Sequence, residues 1–314
     1  MDVENLASRI KKRGAKKVLL QVPEGLKMKA IDNDIVSGLE KHGIKALLSA
    51  EPCYGACDLR DSEAKDLGCK LLVHIGHSDM GIKTEVPVLY NEYRIPLDPV
   101  PLLKRHAPSL KPYRKICLVT TLQFIEALEP AKKYLQSAQG GRKKVFIGQP
   151  NRAKYPGQVL GCDFSAAEPF ERLVDSFLFI GSGVFHPLGL AMKVGKPVLF
   201  LDIETRKLRD MGNEKRRQEI IHAAKVHKAS ESRNFGVLVS TKQGQMHAAE
   251  AEKSKKMLES KGKGACILVM DEISPNKLMG LQLDCLVNCA CPRLSDDSAM
   301  FRKPIINPED IGRL

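Results

Sequence analysis

At 314 residues and 43% apolar content, the chain is long for a single core and apolar enough to fill two or three, which excludes a disordered tail. Its 50 Lys and Arg against 37 Asp and Glu leave a net charge of +13, which suits either a lysine-rich solvated surface or an acidic partner. The absence of Trp, the 5% aromatic content and the lack of any apolar run near the ~20 residues of a spanning helix argue against a stacking platform for single-stranded nucleic acid and against a membrane span.

The N-terminal stretch MDVENLASRIKKRG is polar and has no apolar signal region, which predicts a cytoplasmic protein. The first predicted strand is VLLQVPEGL at 18–26, followed by a helical segment at 28–42. A loop phrase, YGACDLRD, occupies 54–61, and a later strand, KLLVHIGHSDMG, occupies 70–81. The same order then returns. A strand at 116–124 (ICLVTTLQF) leads into a helix at 125–138, a phrase LGCDFS at 160–165, and a later strand at 176–187 (SFLFIGSGVFHP). The segment 206–228, with eight Lys or Arg and three Asp or Glu, predicts a basic linker helix. Beyond it come a strand at 236–245 (GVLVSTKQGQ), a helix at 246–261 and a later strand at 284–295 (DCLVNCACPRLS).

The offsets make this a repeat. Cys57 to Cys162 is 105 residues, His77 to Ser182 is 105, and Ser182 to Cys291 is 109. A period of that length suits a small βαβ domain rather than a solenoid unit. The expectation is three similar parallel-sheet α/β lobes, 1–105, 106–229 and 230–314, the second including the linker helix, in a triangular, pseudo-threefold arrangement around a common centre.

Nine cysteines in a cytoplasmic protein point to metal ligation, catalysis or buried thiols rather than disulfides. Ligands of open parallel sheets gather beyond the carboxyl ends of the strands, where Cys57, Cys162 and Cys291 all fall. One cysteine per lobe suits a cluster held between domains. Three thiolates leave one iron of a four-iron cluster open to a substrate, whereas four-cysteine sites suit electron transfer. Cys69, Cys117 and Cys266 lie in apolar strand-like segments and read as core filler. Cys53 and Cys57 form C-x3-C, and Cys285, Cys289 and Cys291 form C-x3-C-x-C; either pattern is also compatible with half of a zinc site. Gly181-x-Gly183 begins a dinucleotide fingerprint that fails at His186. His77 and His186 sit in strand-end loops, as ligand contacts or as solvated histidines. Glu24 reads as a capping carboxylate or a ligand acceptor, and Lys242 and Gln245 face the same centre. No nucleophile-elbow, Walker or zincin motif is present.

Taken in order, EPCYGACDLRD, GQVLGCDFS and NCACPRLSDD, with VPEGL, the His77 loop and STKQGQ, resemble the archaeal 2-(3-amino-3-carboxypropyl)histidine synthase family over essentially the whole chain. The resemblance implies a [4Fe–4S] cluster on Cys57, Cys162 and Cys291, with S-adenosylmethionine as substrate at the open iron. It implies a radical transfer of the 3-amino-3-carboxypropyl group to C2 of a histidine of elongation factor 2, the first step of diphthamide biosynthesis, leaving methylthioadenosine. The C-x3-C-x2-C motif of common radical S-adenosylmethionine enzymes is absent here, as it is in that family. The resemblance also implies a homodimer fed by an electron donor, with nucleic acid not the direct substrate. Gly183, His186 and Gln245 are the expected cofactor contacts. Cys53 and Cys289 are extra thiols beside two ligands. Two other readings stay open: an iron–sulfur dehydratase like quinolinate synthase, which shares the three-lobed layout, and a basic RNA-binding protein with structural zinc.

Overall fold

The structure, a computed structural model, describes residues 2–32, 35–295 and 300–314. Asp296 and Asp297, at the end of the NCACPRLSDD phrase, lie outside the described residues, as do positions 33 and 34 within the predicted 28–42 helix.

Three sheets follow one another along the chain. The first contains β1 (Lys17–Gln21), β2 (Lys45–Leu48), β3 (Leu71–Ile75) and β4 (Val88–Asn91), in the order β2-β1-β3-β4. The second contains β5 (Lys115–Thr120), β6 (Lys144–Phe146), β7 (Ser176–Gly181), β8 (Val198–Asp202) and β9 (Lys207–Asp210), in the order β6-β5-β7-β8-β9. The third contains β10 (Asn234–Ser240), β11 (Gly264–Met270), β12 (Cys285–Asn288) and β13 (Ile305–Ile306), in the order β11-β10-β12-β13. Each sheet therefore begins with the same parallel arrangement, second strand beside first, first beside third, third beside fourth. The recurring strands of the sequence are the central pair each time, with Leu20 opposite Val73, Leu118 opposite Leu178 and Val237 opposite Val287.

These central strands are apolar on both faces because crossover helices cover both sides of a parallel sheet. Val18, Leu20, Val73 and Ile75 pack under the helices Val3–Lys11 and Ile35–Lys41, whereas Leu19 and Leu72 face the opposite layer with Leu59 and Cys69. In the second sheet Phe177, Phe179 and Phe200 fill one face, and Leu118, Leu178 and Leu201 the other. Leu97, Val100 and Leu103 join that second face, so packing carries the chain into the middle unit before residue 105.

Two expectations change. The segment 206–228 is not one helix. Asp202 accepts hydrogen bonds from Glu204 N, Thr205 N and Thr205 Oγ1, Arg206 adopts φ +56°, and the resulting turn folds Lys207–Asp210 back on β8 as an antiparallel strand. The helix begins at Gly212 and continues to Glu231, where Ala229 is buried in the third core. Cys266 is exposed rather than core, because β11 is the edge strand of its sheet.

Candidate functional site

The loops leaving the carboxyl ends of all three sheets meet at one cavity of about 350 Å³. Its wall includes Cys57 from the loop after β2, Cys162 from the loop after β6 and Cys291 from the loop after β12. The three thiols are close enough to interact: charge on Cys57 and Cys162 raises the pKa of Cys291, and charge on Cys57 raises that of Cys162. Burial raises the pKa of each, for Cys291 to about 11. The opposing influences differ: the Gln245 amide at Cys57, the Arg152 guanidinium at Cys162, and the backbone N–H of Arg293 at Cys291.

The aspartate after each of the first two cysteines fixes its loop. Asp163 accepts from Arg152 N (2.8 Å) and Ala153 N through one oxygen, and from Ser165 N through the other. Asp58 is buried and pairs with Lys242 Nζ at 2.9 Å, with Arg60 Nε at 3.7 Å. Arg60 continues to Asp271 at 3.1 Å, so this ionic cluster joins the first sheet's loops to the third's. Tyr54 OH donates to Glu272 and Gln243 Nε2 donates to Asp61 across the same seam. Between the first and second units, Glu92 accepts from Lys154 and Tyr155, and Gln158 Nε2 donates to Ser78 Oγ.

Two glycines allow close approach at the thiols. A Cβ on Gly161 would lie 2.6 Å from the Phe185 ring, and one on Gly244 would lie 2.5 Å from Cβ and 2.6 Å from Cα of Cys57. The 243–245 turn is therefore seated directly on the Cys57 loop, with Gly244 N donating to Cys57 O at 3.0 Å. From that turn Gln245 Nε2 donates to Cys57 Sγ at 3.4 Å.

The other sequence candidates separate. Gln245 and His186 line the cavity, and Gly183 is not among the described residues of its wall. Gly183 forms the turn before the helix Phe185–Lys193, with φ +73°, which is a reason for glycine there without a ligand. His186 stacks on Phe179, and burial pushes its pKa down to about 4, with Arg293 adding to the effect. Glu24 starts the helix Glu24–Asp32 and pairs with Lys27. Cys289 points into the third core beside Ser254, and Cys285 is buried in the same core.

The histidine pair that a zinc reading needs follows 21 residues after Cys53, and the fold brings the two together. Cys53, His74 and His77 place one ligand atom each within 4.8 Å of one another. Their hydrogen bonds already engage them. His74 Nδ1 faces Gln21 Oε1 at 3.0 Å, so it carries the proton, and its Nε2 accepts from His77 Nδ1 at 2.9 Å. Burial lowers the pKa of His74 to about 3 and of His77 to about 4, so both rings are neutral at pH 7. His77 was already a candidate from its loop, whereas Arg152 and the buried His74 were not legible as site residues; nothing in GQPNRAKYPG marks Arg152.

The donor set fits an iron–sulfur cluster. Three thiols from three units converge, and a cation, an amide and a backbone N–H are directed at the sulfurs to offset the cluster's negative charge.

A family model described as "Putative diphthamide synthesis protein" matches residues 22–312. The 2-(3-amino-3-carboxypropyl)histidine synthase of Pyrococcus horikoshii is 39% identical over 304 residues, covering 96% of this chain and 86% of the relative. Its counterpart from Methanocaldococcus jannaschii is 29% identical, covering 98% of this chain and 86% of the relative. Subunit 1 of the Aspergillus fumigatus enzyme is 30% identical, covering 98% and 69%. The crystal structure of Dph2 from Pyrococcus horikoshii with a 4Fe-4S cluster superposes with a TM-score of 0.93 at 38% identity, covering all of this chain and 90% of that one.

Proposed function

We propose, starting from the fact that the chain belongs to the diphthamide synthesis protein family, that Cys57, Cys162 and Cys291 are the cluster ligands of a 2-(3-amino-3-carboxypropyl)histidine synthase. The enzyme transfers the 3-amino-3-carboxypropyl group of S-adenosylmethionine to C2 of a histidine of elongation factor 2, the first step of diphthamide biosynthesis. The observation that carries this reading is the meeting of three thiols, one from each sheet, at a single cavity. When bound, a [4Fe–4S] cluster supplies one electron and an open iron position for the sulfonium substrate.

The chain's own residues prepare the site. Arg152, the Gln245 amide and the Arg293 N–H offset negative charge at the sulfurs. Phe185, Leu122 and Val159 give the cavity apolar walls, which limit water around a reactive carbon centre. Neutral His77 and His186 and the polar end formed by Lys242, Asp271 and Glu272 are the wall groups available to orient the amino and carboxyl ends of the substrate. Gln245 is also assigned to that contact; Gly183 acts through the turn it forms rather than by touching the substrate.

Three domains near 1–105, 106–229 and 230–314, a homodimer, a separate electron donor and a cytoplasmic location belong to the same proposal. Among the described residues no helix is long and apolar enough to cross a membrane. Protein purified anaerobically and treated with dithionite and S-adenosylmethionine is expected to release methylthioadenosine, and to modify added elongation factor 2. Absence of methylthioadenosine from iron-loaded protein would refute the transferase reading. Zinc in place of iron would favour the RNA-binding alternative.

A further inference from the structure

Arg152 stands outside the described wall of the cavity, yet its guanidinium reaches two of the three units. Nη1 lies 3.7 Å from Cys162 Sγ, and Nη2 donates to Gly244 O at 3.3 Å. Gly244 N in turn donates to Cys57 O at 3.0 Å, so one side chain ties the second unit's thiol to the turn that seats the first unit's thiol. The side chain starts from a fixed base. Its own N–H and that of Ala153 are held by Asp163, the residue after Cys162. A planar fork of five donors, anchored at its root, can reach the sulfur and the Gly244 carbonyl at once, which a single lysine ammonium does not do. The field of this cation reaches both Cys162 and Cys57.

From this geometry we infer that Arg152 is a positioning residue with two separable roles, raising the reduction potential of the cluster through its charge and holding the cluster loops together through its fork. The inference rests on Cys57, Cys162 and Cys291 holding the cluster. Reduction adds one negative charge, and a fixed cation beside a ligand sulfur stabilises the reduced state more than the oxidised one. Glutamine, neutral and shorter, removes that preference together with the bridge. A lysine keeps the charge and loses the two-pronged bridge.

The test compares anaerobically reconstituted wild type, Arg152→Gln and Arg152→Lys, without S-adenosylmethionine or protein substrate. The cluster midpoint is read by mediated titration followed near ~400 nm, where iron–sulfur clusters absorb. Arg152→Gln is expected to hold about tenfold less reduced cluster at a fixed poise, a fall of about 59 mV for a one-electron couple. Arg152→Lys is expected to keep the wild-type midpoint but to lose iron to a chelator at least about tenfold faster, the usual scale for removing an outer partner of a metal ligand. A wild-type midpoint in folded Arg152→Gln overturns the charge role. Wild-type iron retention in Arg152→Lys overturns the bridging role; if the glutamine variant fails to fold, Arg152→Met takes its place in the midpoint titration, with the same outcome overturning the charge role. Wild-type protein that takes up no cluster overturns the ligand assignment itself, a separate result.

Discussion

Gly244→Ala tests how tightly the third unit must sit on the Cys57 loop. The added methyl would meet Cys57 Cβ at 2.5 Å, Cα at 2.6 Å and O at 2.9 Å, and two of these three atoms are backbone. No rotamer relieves the overlap, so the 243–245 turn has to withdraw. Withdrawal costs overpacking strain of about 1–3 kcal/mol and weakens the Gly244 N–H to Cys57 O bond, worth about 1 kcal/mol. It also draws the Gln245 amide and the Arg152 fork away from their sulfurs. At about 1.4 kcal/mol per tenfold, a net loss near 2–4 kcal/mol corresponds to roughly 30- to 1000-fold in the docked population. The assay is iron per chain after anaerobic reconstitution and desalting, with the melting temperature of the metal-free protein alongside. Gly280→Ala is the control, since a Cβ there meets nothing within 4 Å. Full iron content and an unchanged melting temperature in Gly244→Ala would show that the turn is not seated on Cys57 as described.

Alanine at Cys57, Cys162 or Cys291 should each abolish most iron binding and methylthioadenosine release, whereas Cys289→Ala, which removes a thiol buried in the third core, should keep iron while lowering the melting temperature. Iron loss from Cys289→Ala but not Cys291→Ala would exchange the two assignments. Among the described residues, Lys242→Met leaves buried Asp58 with only the longer Arg60 ion pair, and a melt should register a loss toward the lower end of about 3–5 kcal/mol. Because the folded pKa of fully buried His74 is about 3 against 6.5 when free, the unfolded chain takes up the extra proton between those values. Stability is therefore complete above pH 6.5 and falls as pH is lowered through that window, by up to about 1.4 kcal/mol per unit from this group, and metal-free His74→Gln should flatten the dependence. Reversing the exposed charges of Arg216, Arg217 and Lys228 on the helix Gly212–Glu231 should lower transfer to elongation factor 2 and leave methylthioadenosine release intact; unchanged transfer would remove that face from substrate docking.

The repeat was readable from sequence because a parallel strand buried on both faces must be an unbroken apolar run, and VLLQ, ICLVT and GVLV announce themselves that way. The loops at their carboxyl ends could be located by counting residues: Cys57 and Cys162 occupy the same connection 105 residues apart, and Cys291 falls in the later connection that carries His77 and Ser182 in the first two units. Lys207–Asp210 could not, because four mostly charged residues carry no apolar pattern and become a strand only through the turn that Asp202 ties behind them. Cys266 has the apolar neighbours of a core residue, and only sheet order makes its strand an edge. The clasp of Asp58, Lys242, Arg60 and Asp271, the His74–His77 pair beside Cys53, and the reach of Arg152 to Cys162 and Gly244 join positions remote in the chain. Local sequence sets periodicity and therefore strands. Which charges meet, and which glycine must give way to a cysteine backbone, depends on how the three sheets dock, and that is decided in three dimensions.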